Sequence, residues 1–91
     1  IGTTGHDDPE SWEWGINPAG VDRLIEEPDI FSLQPGNFGG TLSWYASPRP
    51  AAEQTDALIA DAAIKILDLA EQDSSRPLFL AVGFYRPHTP Y

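Results

Sequence analysis

Leu78-Phe79-Leu80-Ala81-Val82-Gly83-Phe84 is apolar at every position, with no alternation. A strand of that kind has no face to offer water and belongs inside a sheet covered on both sides, as in helix-flanked parallel sheets. The residues before it support that reading. From about Thr55 to Glu71, Ile59, Ala62, Ala63, Ile66, Leu67 and Ala70 recur at intervals of three and four, one face of an amphipathic helix. Asp56 and Asp61 lie towards its positive N-terminal end, and Asp61 and Lys65 are spaced for an i,i+4 pair. Gln72-Asp73-Ser74-Ser75-Arg76-Pro77 then breaks the periodicity. Helix, short loop and buried strand make half of an α/β unit. One strand is not a sheet, so this reading calls for further strands from outside the chain.

The first half is different in kind. Residues 1–52 are rich in Gly, Pro, Asp and Asn, without a sustained period. Asp8-Pro9-Glu10-Ser11 has the order of a helix start, with Asp8 as N-cap and Pro9 at the first helical position, and Trp12 and Trp14 would anchor it. Asn17-Pro18-Ala19-Gly20 and Gln34-Pro35-Gly36-Asn37 are turn signals. A long loop-rich excursion with one or two short helices is expected, and irregular stretches of that length usually cover a site or an edge.

Charge and composition remove several function classes. Five basic against fourteen acidic residues give a net charge of −9, which leaves no basic patch for a nucleic-acid backbone. No apolar run approaches the ~20 residues of a membrane span. Without cysteine there is neither a disulfide nor a zinc-thiolate site. A chain of 91 residues buries only about 60–65% of its unfolded surface. It contains no Met, and its most constrained stretch lies at its end. We expect an internal segment of a longer polypeptide, whose remainder is its first partner.

That stretch is Arg86-Pro87-His88-Thr89-Pro90-Tyr91. Ligands of open α/β sheets bind beyond the carboxyl ends of the strands, which is where these residues fall. Each proline biases the residue before it towards extended backbone, so His88 is held between two fixed points with Arg86 nearby. A guanidinium fork and an imidazole there suit an anion. The structural alternative is a histidine that caps a loop through backbone hydrogen bonds.

The run RPLFLAVGFYRPHTPY, residues 76–91, resembles the segment PFFLAVGF-x-[KR]-PH-x-P-[FY] of the sulfatase family, in its iduronate-2-sulfatase and choline-sulfatase-like branch. The preceding helix, with Thr55, Asp56, Ala63 and Leu67, resembles the helix before that strand. Asp7-Asp8-Pro9-Glu10-Ser11-Trp12 resembles an acidic, tryptophan-bearing loop of the same proteins. The likeness covers residues 5–14 and 53–91. It implies part of a catalytic domain of alkaline-phosphatase-like α/β fold, with 1–52 as loop-rich excursion and 53–91 as helix, core strand and active-site loop. It further implies a formylglycine nucleophile made from a C/S-x-P-x-R motif and a divalent cation, commonly calcium, both held outside this chain. The hydrated aldehyde of such enzymes attacks the sulfur of a sulfate ester and displaces the alcohol. Carried over by position, His88 matches the histidine that contacts the ester and protonates the leaving oxygen. Arg86 stands where relatives have Lys or Arg, which implies a role towards substrate charge or behind the site. Many members are exported or lysosomal.

Other matches are weaker. Ser47-Pro48-Arg49 lacks the spacing of C/S-x-P-x-R. Asp7-Asp8 has no preceding strand to place it as a metal-binding pair, and His6 reads as a loop residue; no metal ligand is assigned to this chain. A phosphodiesterase or phosphonate hydrolase of the same superfamily is the alternative enzyme. From another class comes a non-catalytic acidic α/β domain that binds a partner through Trp12, Trp14, Trp44 and Tyr45.

Overall fold

The computed structural model describes residues 8–91; His6 and Asp7 lie outside the described residues. In chain order the elements are α1 (Val21–Leu24), a 3₁₀ turn (Glu27–Asp29), β1 (Phe31–Ser32), β2 (Ser43–Trp44), a second 3₁₀ turn (Ala51–Glu53) and α2 (Thr55–Gln72). The loop-rich first half with short helical turns and the long helix of the second half follow the sequence reading. No helix among the described residues is long and apolar enough to cross a membrane.

The expected helix start at Asp8 is a single turn. Ser11 donates to Asp8 through its N–H (3.1 Å to the carbonyl) and its hydroxyl (2.5 Å to Oδ2), and no helix follows. Trp12, Trp14, Gly15, Ile16 and Pro18 are poor helix formers, so a costly nucleus has nothing to propagate it. The Asn17–Gly20 signal does not close a turn either; Gly20 is the residue that enters α1. Gln34–Asn37 does behave as its sequence demands. Asn37 N–H donates to the Gln34 carbonyl at 2.9 Å, with Pro35 second and Gly36 third at φ 86°, the positive value that a type II turn requires of its third residue. That turn lies between β1 and β2, which pair antiparallel with Phe31 opposite Trp44 and Ser32 opposite Ser43. The two rings meet on one face, at a centroid distance of 4.6 Å. The two serines on the other face are buried and lace the loop, with Ser32 Oγ donating to the Asn37 carbonyl and Ser43 Oγ to that of Phe38.

α2 matches the predicted helix to within a residue, and its apolar face is half-buried at Ile59, Ala62, Ala63, Ile66 and Ala70. Leu67, Ile64 and Leu69 stay exposed. Asp61 and Lys65 do not come within ion-pair distance; the pairs formed among the described residues are Arg76–Glu13 and Arg86–Asp22. Gln54, the residue before α2, makes no side-chain cap. Asp22 of α1 supplies it from a distance, its Oδ1 accepting both Thr55 N–H (2.8 Å) and Thr55 Oγ–H (2.7 Å). Thr55 Oγ in turn accepts from Gly20 N–H at 2.8 Å. The junction is so close that a β-carbon on Gly20 would lie 2.3 Å from the Glu53 carbonyl oxygen, which only glycine avoids.

Residues 78–84 depart from expectation. They form no strand, and no ladder partner faces them among the described residues. Strand geometry needs a neighbour to hydrogen-bond, and the only sheet among the described residues is β1–β2. α2 and the Trp12–Pro18 loop face this segment across a groove of about 570 Å³. Trp12 reaches over it to Phe79, at a centroid distance of 5.8 Å. Phe79 is nevertheless 81% exposed, and no apolar residue among those described is fully buried.

Candidate functional site

Backbone hydrogen bonding among the described residues resumes where the apolar segment ends. Asp56, in the first turn of α2, accepts Tyr85 N–H on Oδ1 (2.8 Å) and Arg86 N–H on Oδ2 (3.0 Å). His88 N–H then closes a turn onto the Tyr85 carbonyl at 2.8 Å. Both X–Pro bonds of this stretch, Arg86–Pro87 and Thr89–Pro90, are cis. Thr89 Oγ–H donates to the Gly39 carbonyl (3.1 Å), which ties the stretch to the β1–β2 loop. Tyr91 donates through N–H to Ser43 O (2.9 Å) and accepts Tyr45 N–H (2.8 Å), so it is bonded to β2 on both sides of Trp44. Residues 85–91 are thus held by α2 at one end and by β2 at the other.

Between these anchors is a cavity of about 340 Å³ with Arg86 and His88 on its wall. Asp22, Glu26 and Glu27 also line it, with Arg23 and Tyr85, so both signs of charge meet there. Arg23 donates from Nη1 to Tyr85 Oη at 2.8 Å, with its guanidinium carbon 4.8 Å from the ring centroid. Glu26 is 1% exposed; its Oε1 accepts from Gln54 Nε2 at 3.1 Å and its Oε2 has no hydrogen-bond partner among the described residues.

The structure brings the two sequence-predicted residues together but gives them different surroundings. Arg86 faces Asp22 Oδ2 at 3.5 Å, and its guanidinium charge is therefore partly answered within the chain. Its backbone belongs to Asp56 and its side chain to Asp22, which makes it a strut of the turn before it is a receptor for an anion. His88 is exposed, with Nδ1 2.6 Å from the Thr89 carbonyl oxygen. A carbonyl oxygen only accepts, so Nδ1 carries the hydrogen. Nε2 makes no hydrogen bond among the described residues. It is a base when the ring is neutral and a proton donor when the ring is charged, which are the two states a general acid-base residue needs.

Asp22, Asp56 and Tyr85 complete the site and were not singled out as site residues from sequence. Asp56 was legible as an acid at a helix start. The two carboxylates act across sequence separations of about thirty to sixty residues, for which the sequence holds no local signal. Ser47 lines the same cavity, but its hydroxyl oxygen accepts from Arg49 N–H (3.1 Å) and Gln54 Nε2 (3.2 Å), a local turn and no nucleophile motif. Among the described residues no three carboxylate, imidazole or thiol groups converge in a way that would hold a metal ion, and no cation is assigned to them. Comparison with protein-family models, with curated proteins and with solved structures finds no match.

Proposed function

We propose that this chain is part of a sulfatase that hydrolyses sulfate esters, with His88 as the proton donor to the departing alcohol oxygen. The observation that carries the proposal is the Pro-bracketed His88 at the rim of the cavity, its Nδ1–H committed to the Thr89 carbonyl and its Nε2 without a hydrogen bond among the described residues. The resemblance of residues 76–91 supplies the chemistry to which that histidine is matched. The nucleophile and the cation come from residues other than those described; they supply the attack on sulfur and the neutralisation of sulfate charge. The part left to this chain is the movement of one proton. With the imidazole charged, Nε2–H faces the leaving oxygen and transfers its proton as the S–O bond lengthens. The Thr89 carbonyl stabilises the ring in either state by holding Nδ1–H. Arg86, paired with Asp22, holds the turn and adds positive charge near the rim.

A general acid of this kind contributes about 10²–10⁴-fold in rate. In the full-length protein, His88→Ala is expected to lower sulfate-ester hydrolysis by that factor while the unfolding midpoint stays put. A variant with near wild-type turnover would take His88 out of the mechanism. Assaying an aryl sulfate beside a bis-aryl phosphate decides whether the related phosphodiesterase chemistry applies instead.

A second reading rests on the tryptophans. Trp12, Trp14 and Trp44 are all exposed, and such aromatics are favoured anchors for a protein partner. Acrylamide quenching of tryptophan fluorescence in the intact protein tests it. Strong quenching of most of the signal favours that surface, and weak quenching means the loop is covered.

A further inference from the structure

We propose that Asp56 is the positioning residue for His88: its carboxylate seats the turn that carries the imidazole. The preceding segment, 78–84, makes no backbone–backbone hydrogen bond among the described residues that would place the turn after it. The first polar anchors beyond that segment are the consecutive amides of Tyr85 and Arg86, one on each oxygen of Asp56, at 2.8 and 3.0 Å. Hydrogen bonds to an ionised carboxylate are roughly twice as strong as neutral ones, and two on adjacent amides fix direction as well as distance. His88 N–H closes onto the carbonyl of Tyr85, the same residue whose amide Asp56 holds. From the carboxylate to the imidazole there are therefore only two linked hydrogen bonds. Asp22 assists from the side by holding the Arg86 guanidinium, and the same carboxylate fixes Thr55, the neighbour of Asp56. Asp56 itself lies on α2, the longest regular element, which makes it the rigid reference for an otherwise irregular stretch.

The positioning of His88 stands on these contacts alone; its consequence for turnover rests on the sulfatase reading. The test uses the full-length protein labelled with ¹⁵N at histidine, at a pH about two units above the ordinary histidine value of ~6.5. Long-range ¹H–¹⁵N spectra then report which ring nitrogen carries the hydrogen, and His88→Ala identifies the signal. The wild type is expected to show His88 as the Nδ1–H form. Asp56→Asn offers one acceptor oxygen in place of two, and Asp56→Ala offers none. Both are expected to move the His88 signals towards the average of the two tautomers. The same variants are expected to lose about ten- to a hundredfold in kcat with KM changed by less than about threefold, since the histidine acts at the transition state. His88 signals unchanged in both variants would overturn the proposal. Should the variants fail to fold, amide exchange of the wild type serves: Tyr85 and Arg86 protected well beyond the loop amides of Gly36 and Ser74, which make no hydrogen bond among the described residues, supports the latch, and exchange as fast as theirs refutes it. Full activity in His88→Ala would remove the sulfatase role while leaving the nitrogen spectra to judge Asp56.

Discussion

The junction around residues 17–56 and 85–91 and the apolar segment 78–84 solve opposite problems. At the junction, the fully buried large side chains are Glu26, Thr55 and Ser43, all polar, and hydrogen bonds hold every one. In the apolar segment, Leu78, Phe79, Val82 and Phe84 are exposed and have no ladder among the described residues. The junction is closed by contacts the chain makes with itself. The apolar segment offers water a surface that folding normally removes, at about 25 cal/mol per Å². Polar latches are directional and need only a few atoms in register, so a small piece of chain completes them. Hydrophobic burial needs area on both sides of a strand, and α2 provides one side at most. The difference teaches where the molecule is self-sufficient: it organises the site turn by itself and leaves the element behind it uncovered.

The sharpest way to break this comparison is at Phe79. If the segment is a core strand in the full-length protein, as the sulfatase reading requires, Phe79→Ala is expected to cost about 3–5 kcal/mol in denaturant unfolding. A loss below about half a kcal/mol, the usual scale of exposed positions, would mean that the segment stays uncovered and the α/β reading fails. Gly20 probes the other side. An alanine there puts a β-carbon against the backbone of Glu53 and Thr55, which cannot swing aside as a side chain would. Overpacking of this sort costs about 1–3 kcal/mol, and the cost is expected at the upper end because the neighbours are backbone. Equilibrium unfolding of Gly20→Ala measures it; an unchanged midpoint would mean that α1 does not seat on α2 as described.

These two positions also mark what was legible in the sequence. α2 was readable because its signal is local: six apolar positions recur at one angular spacing, and a polar cluster ends them. The Gln34–Asn37 turn was readable for the same reason, since Pro35 and Gly36 dictate their own dihedral angles. The apolar run reads as a buried strand, yet it lies largely exposed, because a strand exists only with a partner and none is among the described residues. At the site, the irregular Arg-Pro-His-x-Pro composition pointed to His88 and Arg86. What the sequence could not give was the pairing that orders them. Asp22 meets Thr55 and Arg86, and Asp56 meets Tyr85, through contacts whose sequence separation carries no periodicity. Asp8-Pro9 misled because a cap and a proline begin a helix only if good helix formers succeed them, and Trp12-Glu13-Trp14-Gly15 does not continue one.

The smallest effect belongs to the loop that joins the two regions. Asp73 follows the last turn of α2, and its Oδ1 accepts the Ser75 hydroxyl (2.6 Å) and the Ser75 N–H (3.1 Å). Those bonds, the hydroxyl first, hold its carboxyl below the ordinary aspartate value, with Arg76 adding a minor favourable charge. A lowered folded-state value means that the folded form prefers the ionised group. The contribution is therefore complete above the ordinary carboxylate value, near pH 4, and is lost as the pH falls through the lowered one. The group is fully exposed, so solvent screens the interaction and the global midpoint is not expected to move. The readout is local: protection of the Ser75 amide at neutral pH, fading below about pH 4, and absent at all pH values in Asp73→Ala. Protection that ignored both the pH and the substitution would show that the loop is ordered by its neighbours, the helix before it and the apolar segment after it, and that the carboxylate merely sits between them.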